Sequence, residues 1–211
     1  MRWWINHVYY LCSYIHWSDR AMASVQFDRQ QVLDSVTNLF WKSGLLGTSM
    51  HQVFKATGLK PGSVYLAFGN KEALFKQSLQ NYSQRSMDSI HQVMEKAPSI
   101  GEGICDILQS MVDESQQPDY CGCFLVKSQL ELAADHPKLH QFTREQLKSI
   151  EDVYTSYLSH LDASLAQTRA ASLMFHIFGV RVYGYHQQPR EQLLQVLHDG
   201  LPWLALADIY S

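Results

Sequence analysis

Two short apolar-periodic runs hinged on one glycine constrain this chain more than any other stretch of it. They lie in residues 49 to 68, SMHQVFKATGLKPGSVYLAF. Ser49 with Gln52 has the form of a capping box, Gly58 offers the positive φ that a sharp reversal needs, and Pro61 suits the first turn of a second helix. Two short helices crossing steeply about a tight turn make a helix-turn-helix, whose second helix can enter the major groove of DNA. Leu59, Val64 and Phe68 are expected to face the core. On the other face, Lys60, Pro61, Gly62 and Ser63 bring a cation, an unhindered backbone and a hydroxyl to the start of the second helix, and Tyr65 can reach a phosphate oxygen. Ser49 is expected at the same surface, as is Lys71, which starts the next helix where the dipole already favours an anion. The bland alternative is a helical hairpin that binds nothing; the capped helices, the glycine turn and the Lys60, Tyr65, Lys71 set occurring together favour DNA.

The rest of the chain behind residue 26 also reads as helix, because apolar residues recur at three and four positions and sustained strand-like alternation is absent. Val32, Leu33, Val36, Leu39 and Phe40 form one stripe that Gly44 is placed to end. Asn70 caps a long helix reaching Pro98, and Ser99 with Glu102 opens another to about Ser115. Further helices are expected over 122–134, 137–160, 163–186 and 190–199.

The net charge of −3 argues against a DNA binder until it is divided along the chain. Residues 1 to 76 hold eight Lys/Arg against four Asp/Glu, and residues 77 to 211 hold nine against sixteen. A basic front and an acidic body fit a phosphate-facing module on a separate helical domain. Cys12, Cys105, Cys121 and Cys123 give no zinc spacing, so a reduced, cytoplasmic chain without cofactor or metal is expected. Asp135, His136 and His140 share a helix face but lack a third nitrogen or sulfur ligand, and no catalytic constellation emerges. The first 22 residues make a poor signal peptide and no membrane span; residues 1 to 25 are expected to be an extension outside the fold, with Met22 as the biological start.

The segment GLLGTSMHQVFKATGLKPGSVYLAFGNKEALFKQSL resembles the N-terminal signature of TetR/AcrR-family transcriptional regulators. Gly44, Thr48, Gly58, Gly62, Tyr65, Phe68, Lys71, Glu72, Leu74 and Phe75 fall on its motif positions. YCGCFLVKSQLELAADHP and FGVRVYGYHQQPREQLLQVLHDGL are similar to later helices in one branch of that family. The resemblance implies an all-α fold: a three-helix DNA-binding domain at 26–71, then a ligand-sensing and dimerising helical domain at 72–211. It also implies DNA contacts at Thr48, Ser63, Tyr65 and Lys71. Three positions depart from the pattern. Phe54 stands where the family usually has Ala, and Leu66 and Ala67 stand where many members are basic, polar or aromatic.

The function expected is a regulator, a repressor freed from an inverted-repeat operator by a small-molecule effector, with no membrane association. The alternative is a helical binding protein or enzyme that keeps the helix-turn-helix shape without binding DNA. Cys123, Phe124, Gln129, Tyr154, Tyr157, Phe175, Phe178 and Arg181 are the expected effector-binding set. Cys123 is a further candidate as a redox or electrophile sensor, at a helix start with Lys127 one turn on. A homodimer is expected to bury Met174, Ile177, Phe178, Leu193, Leu194 and Leu197 between the last two helices of each subunit.

Overall fold

A computed structural model describes residues 27 to 204, and every regular element among them is helical. The expectation for residues 1 to 25 lies outside the described residues. The order is α1 (Arg29–Ser43), α2 (Met50–Thr57), α3 (Pro61–Phe68), α4 (Lys71–Lys96), α5 (Ile100–Ser115), α6 (Phe124–Glu131), α7 (Pro137–Ser159), α8 (Ala166–Tyr183), a 3-10 turn at Gly184–His186, and α9 (Arg190–Gly200). The first three helices and the start of α4 form a small head. The remaining helices form the body, in which α7 pairs with α8, and α5 packs on α4, α8 and α9.

Local chemistry sets the boundaries. Asp28 accepts from Gln30 N and Gln31 N to start α1, and Asn70 accepts from Ala73 N at 2.8 Å to start α4. Ser99 accepts from Glu102 N to start α5. Two helices are shorter than their sequence periodicity predicts. α6 begins at Phe124 because Gly122 turns through a φ of 64° and Cys123 is extended. α8 begins at Ala166 because the Asp162 carboxylate accepts from both the backbone and the hydroxyl of Ser164, folding the chain into a local turn that competes with helix.

Head and body share one run of aromatic rings. Phe40 of α1 meets Phe75 of α4 edge-on at 4.9 Å, Phe75 meets Phe124 of α6 at 5.4 Å, Phe124 meets Tyr82 of α4 at 5.8 Å, and Tyr82 returns to Trp41 of α1 at 5.1 Å. Each such pair adds about 1 kcal/mol beyond the area it buries. α4 therefore belongs to both cores, with Leu74, Phe75 and Leu79 fully buried in its first three turns.

The expected dimer set needs correction. Met174, Ile177, Leu193, Leu194 and Leu197 are buried inside one protomer, Leu194 to 1% exposure, and Phe178 is half-buried beside the cavity described below. The apolar stripe that α8 leaves uncovered is a different one: Phe175 is 75% exposed, Gly179 has open space beyond its Cα, and Val182 lies one turn on. Val196 of α9 is likewise exposed. Periodicity finds stripes, but in a two-sided helix it does not say which stripe meets the protomer's own core.

Candidate nucleic-acid interface

The helix-turn-helix forms as its residues dictate. Ser49 Oγ accepts from Gln52 N at 3.3 Å while Gln52 Oε1 accepts from Ser49 N at 2.7 Å, which closes the capping box at the start of α2. Gly58 sits at φ 67° and its N–H closes α2 on Phe54 O at 2.9 Å. Nothing approaches the place where its Cβ would be, so the backbone conformation and not crowding selects glycine here. Pro61 takes the first helical position of α3, and Ser63 N donates to Lys60 O.

α3 is divided into two faces. Val64 and Phe68 are buried and Leu59 packs half-buried beside them, as the sequence predicts. Lys60, Pro61, Gly62, Tyr65 and Leu66 are exposed, and Ser63 is half-exposed. The Phe54 ring meets Tyr65 edge-on at 5.9 Å, so it supports the side chain that stands on the outer face. Leu66 is 90% exposed, while Ala67 is half-buried and its carbonyl accepts from Arg29 Nη2. That guanidinium also lies 4.5 Å from the centre of the Phe68 ring and fixes the far end of α3 on α1.

Of the expected contacts outside α3, Ser49 at the start of α2 is exposed and Lys71 at the start of α4 is half-buried. Thr48 is the exception among the expected DNA contacts. Its side chain is buried to 1% exposure and its hydroxyl donates to Gly44 O at 2.7 Å, where it folds the turn between α1 and α2. A small polar residue just before a cap reads from sequence alone as available, and only the return of the chain toward Gly44 shows that it is not.

Behind the head lies a seam that the sequence did not reveal. Glu131, at the end of α6, accepts from Leu45 N at 3.1 Å and from Leu46 N at 2.8 Å. One turn earlier Lys127 Nζ donates to Trp41 O at 2.7 Å and lies 3.5 Å from Cys121 Sγ. Lys127 and Glu131 have the i, i+4 spacing of a helix-surface ion pair, which disguises them; each instead satisfies backbone groups at the end of α1 and in the turn after it. Gly44 is held at φ 72° in that turn, and a Cβ there would lie 2.5 Å from a Glu131 carboxylate oxygen.

A cavity of about 400 Å³ lies between α1, α4, α5, α7 and α8, with the exposed residues Asn38, Arg85 and Ser89 in its lining. Of the expected effector set, Cys123, Tyr154, Phe178 and Arg181 line it. The other four do not. Phe124 belongs to the aromatic run, Gln129 Nε2 pairs with His140 Nε2, Tyr157 hydroxyl bonds His91 Nδ1, and Phe175 points outward. Lys127 reaches Cys121 and not Cys123, so the lysine expected beside Cys123 serves the seam. Arg181 Nη1 donates to Glu114 Oε2 at 2.6 Å; burial opposes its charge, but Tyr82 and Glu114 outweigh that and raise its pKa further. Burial pushes the Tyr154 phenol well up, so it stays neutral and able to donate. The histidines near residue 136 do not converge: His136 faces Glu72 at 3.5 Å and His140 is held by Gln129.

A capped helix-turn-helix with a polar, cation-flanked recognition helix, carried on a helical body, defines a DNA-binding regulator. Comparison with known proteins specifies which kind. Residues 32 to 77 match the bacterial regulatory proteins of the tetR family. The HTH-type transcriptional regulator YezE of Bacillus subtilis is 27% identical over 130 residues, covering 61% of this chain and 67% of YezE. The HTH-type transcriptional repressor ComR of Escherichia coli is 31% identical over 111 residues, 52% of this chain, and the match spans only about half of ComR, 53%. Among solved structures, a cysteine mutant of the TetR family transcriptional regulator CifR, complexed with a 26bp double-strand operator DNA, superposes with a TM-score of 0.65 at 27% identity, covering 83% of this chain and 96% of that one. Over residues 32 to 77 the chain is thus similar to the DNA-binding part of the tetR-family regulators, and along most of its described length it shares the fold of that CifR structure.

Proposed function

We propose that the protein is a repressor that binds an inverted-repeat operator as a homodimer in the cytoplasm and releases it when a small molecule fills the body cavity. The division of α3 carries this reading: Val64 and Phe68 lock into the head, while Lys60, Gly62 and Tyr65 are exposed and Ser63 is half-exposed on the other side. The uncovered stripe of Phe175, Gly179 and Val182 with Val196 supplies the second-subunit contact, because a contiguous apolar stripe of this kind favours association. The polar groups around the cavity suit binding, and no catalytic role is assigned to them. Ligand occupancy acts on an equilibrium between head spacings, only one of which fits successive major grooves. Footprinting on the DNA flanking the protein's own gene tests the whole reading. A protected inverted repeat supports it, and uniform, salt-sensitive coating without a boundary sinks it.

On this reading Lys71 and Ser63 do different work. Lys71→Ala is expected to weaken binding to all sequences and to lower the salt dependence by about one unit per half-site, the signature of one phosphate contact removed. Ser63→Ala is expected to change the ranking of operator variants by about 1 kcal/mol per half-site and to leave the salt slope alone. Titration of both against matched and altered DNA at several salt concentrations separates the two. If neither variant changes affinity while both stay helical by circular dichroism, α3 does not face the DNA.

A further inference from the structure

Two buried donors without partners belong to residues of the cavity wall. Trp41 and Tyr154 both line the cavity, and the indole Nε1 of the one and the hydroxyl of the other are shielded from solvent without a hydrogen-bond partner in the protein. Tyr154 is fully buried and close enough to Arg181 to feel its charge. An indole N–H can only donate, and so can a guanidinium. A donor left unsatisfied in an apolar enclosure costs roughly what a hydrogen bond to it would return, so these groups favour an occupant that accepts.

The sign of the charge narrows the class. Two guanidiniums line the cavity and each already has a carboxylate partner: Arg181 is paired with Glu114, which lines the same cavity, and Arg85, largely exposed, is paired with Asp34. An anionic head would be drawn out of water with its best counter-ion already engaged and a carboxylate nearby. A neutral acceptor meets no such penalty. Much of the remaining wall, including Ile90, Ile107, Met111, Ile150 and Ile177, is aliphatic, and the volume of about 400 Å³ suits a compact molecule.

We propose that the cavity binds a small, largely apolar molecule through a neutral carbonyl-type oxygen that accepts from Trp41 Nε1 and the Tyr154 hydroxyl. This rests on the reading of the cavity as the effector site and names its ligand chemistry. It also locates the signal: Trp41 belongs to α1 of the head, and its own carbonyl is the atom that Lys127 holds at the seam. A ligand on the indole therefore touches the DNA-binding domain directly.

Three probes of similar size test the class on the full chain by calorimetry without DNA: 4-phenylbutan-2-one, which offers a neutral carbonyl, 3-phenylpropionate, which offers a carboxylate, and butylbenzene, which offers no acceptor. The ketone is expected to bind at least tenfold more tightly than either of the others. In Trp41→Phe and Tyr154→Phe the ketone's advantage over butylbenzene is expected to shrink to threefold or less, while butylbenzene itself binds as in wild type, which shows that the cavity is intact. Equal binding of ketone and butylbenzene, a tenfold preference for the carboxylate, a preference that survives both substitutions, or no binding of any probe overturns the proposal. Because ligand binding is read without DNA, a failure of operator binding leaves this test standing, and a failure here leaves the regulator reading standing.

Discussion

Phe175→Glu is expected to leave the protein folded but monomeric at micromolar concentration, and to weaken a two-half-site operator by about a hundredfold or more, because two linked heads become two independent ones. The reason is position: the ring is 75% exposed in the protomer, so a charge there meets solvent in the monomer and an apolar partner surface in the dimer. Leu194→Glu is the contrasting variant. Leu194 is 1% exposed inside the protomer, and an unpaired carboxylate in that packing costs about 4 kcal/mol or more, a large part of the stability of an ordinary domain. It is expected to lower the melting temperature sharply or to prevent soluble expression. Sedimentation and thermal unfolding of the two variants distinguish the cases. A Phe175→Glu protein that remains dimeric moves the subunit contact elsewhere.

Glu131→Ala is expected to loosen the head on the body. The carboxylate accepts from two successive backbone amides, Leu45 N and Leu46 N, and bonds of this charge-assisted kind contribute about 2 kcal/mol together once partial exposure is allowed for. Hydrogen exchange at those two amides reads the change: it should accelerate in Glu131→Ala and rise by a smaller amount in Glu131→Gln, whose single carbonyl oxygen can still serve one of them. Operator binding should then respond less to any ligand that fills the cavity. Unaltered exchange at both amides in Glu131→Ala removes Glu131 from the coupling.

Most of the head was legible because its determinants are local. The Ser49 and Gln52 box, the positive φ at Gly58 and Pro61 in the first turn of α3 are satisfied within a few residues, and each formed where its chemistry called for it. Thr48 was misjudged for the opposite reason, since its hydroxyl turns back to Gly44 and is no longer free for a ligand. The body was legible as helices but not as contacts. Leu194 and Phe175 look alike in a hydrophobic pattern, and the fold alone decides that one is core and the other is surface. The cavity was half legible: Tyr154 and Arg181 stand out as polar groups within apolar helices, whereas Trp41 looked like one more residue at the end of α1. Lys127 and Glu131 hid behind a spacing that usually means a surface ion pair, and their backbone partners lie roughly eighty-five positions away in the chain.

The seam at Trp41, Leu45 and Leu46 limits how this protein can be recombined with its relatives. A chimera that joins this head to a foreign body, cut at the start of α4, would keep Gly44 and its tight turn but present them to whatever stands at the positions of Lys127 and Glu131. A bulkier or acceptor-poor residue there would leave two amides and a carbonyl without partners, and the graft would bind its operator without hearing the new body. Transplanting a working switch therefore means moving the last turn of α1, the turn that follows it and the whole of α6 as a matched set, though they lie far apart in the gene.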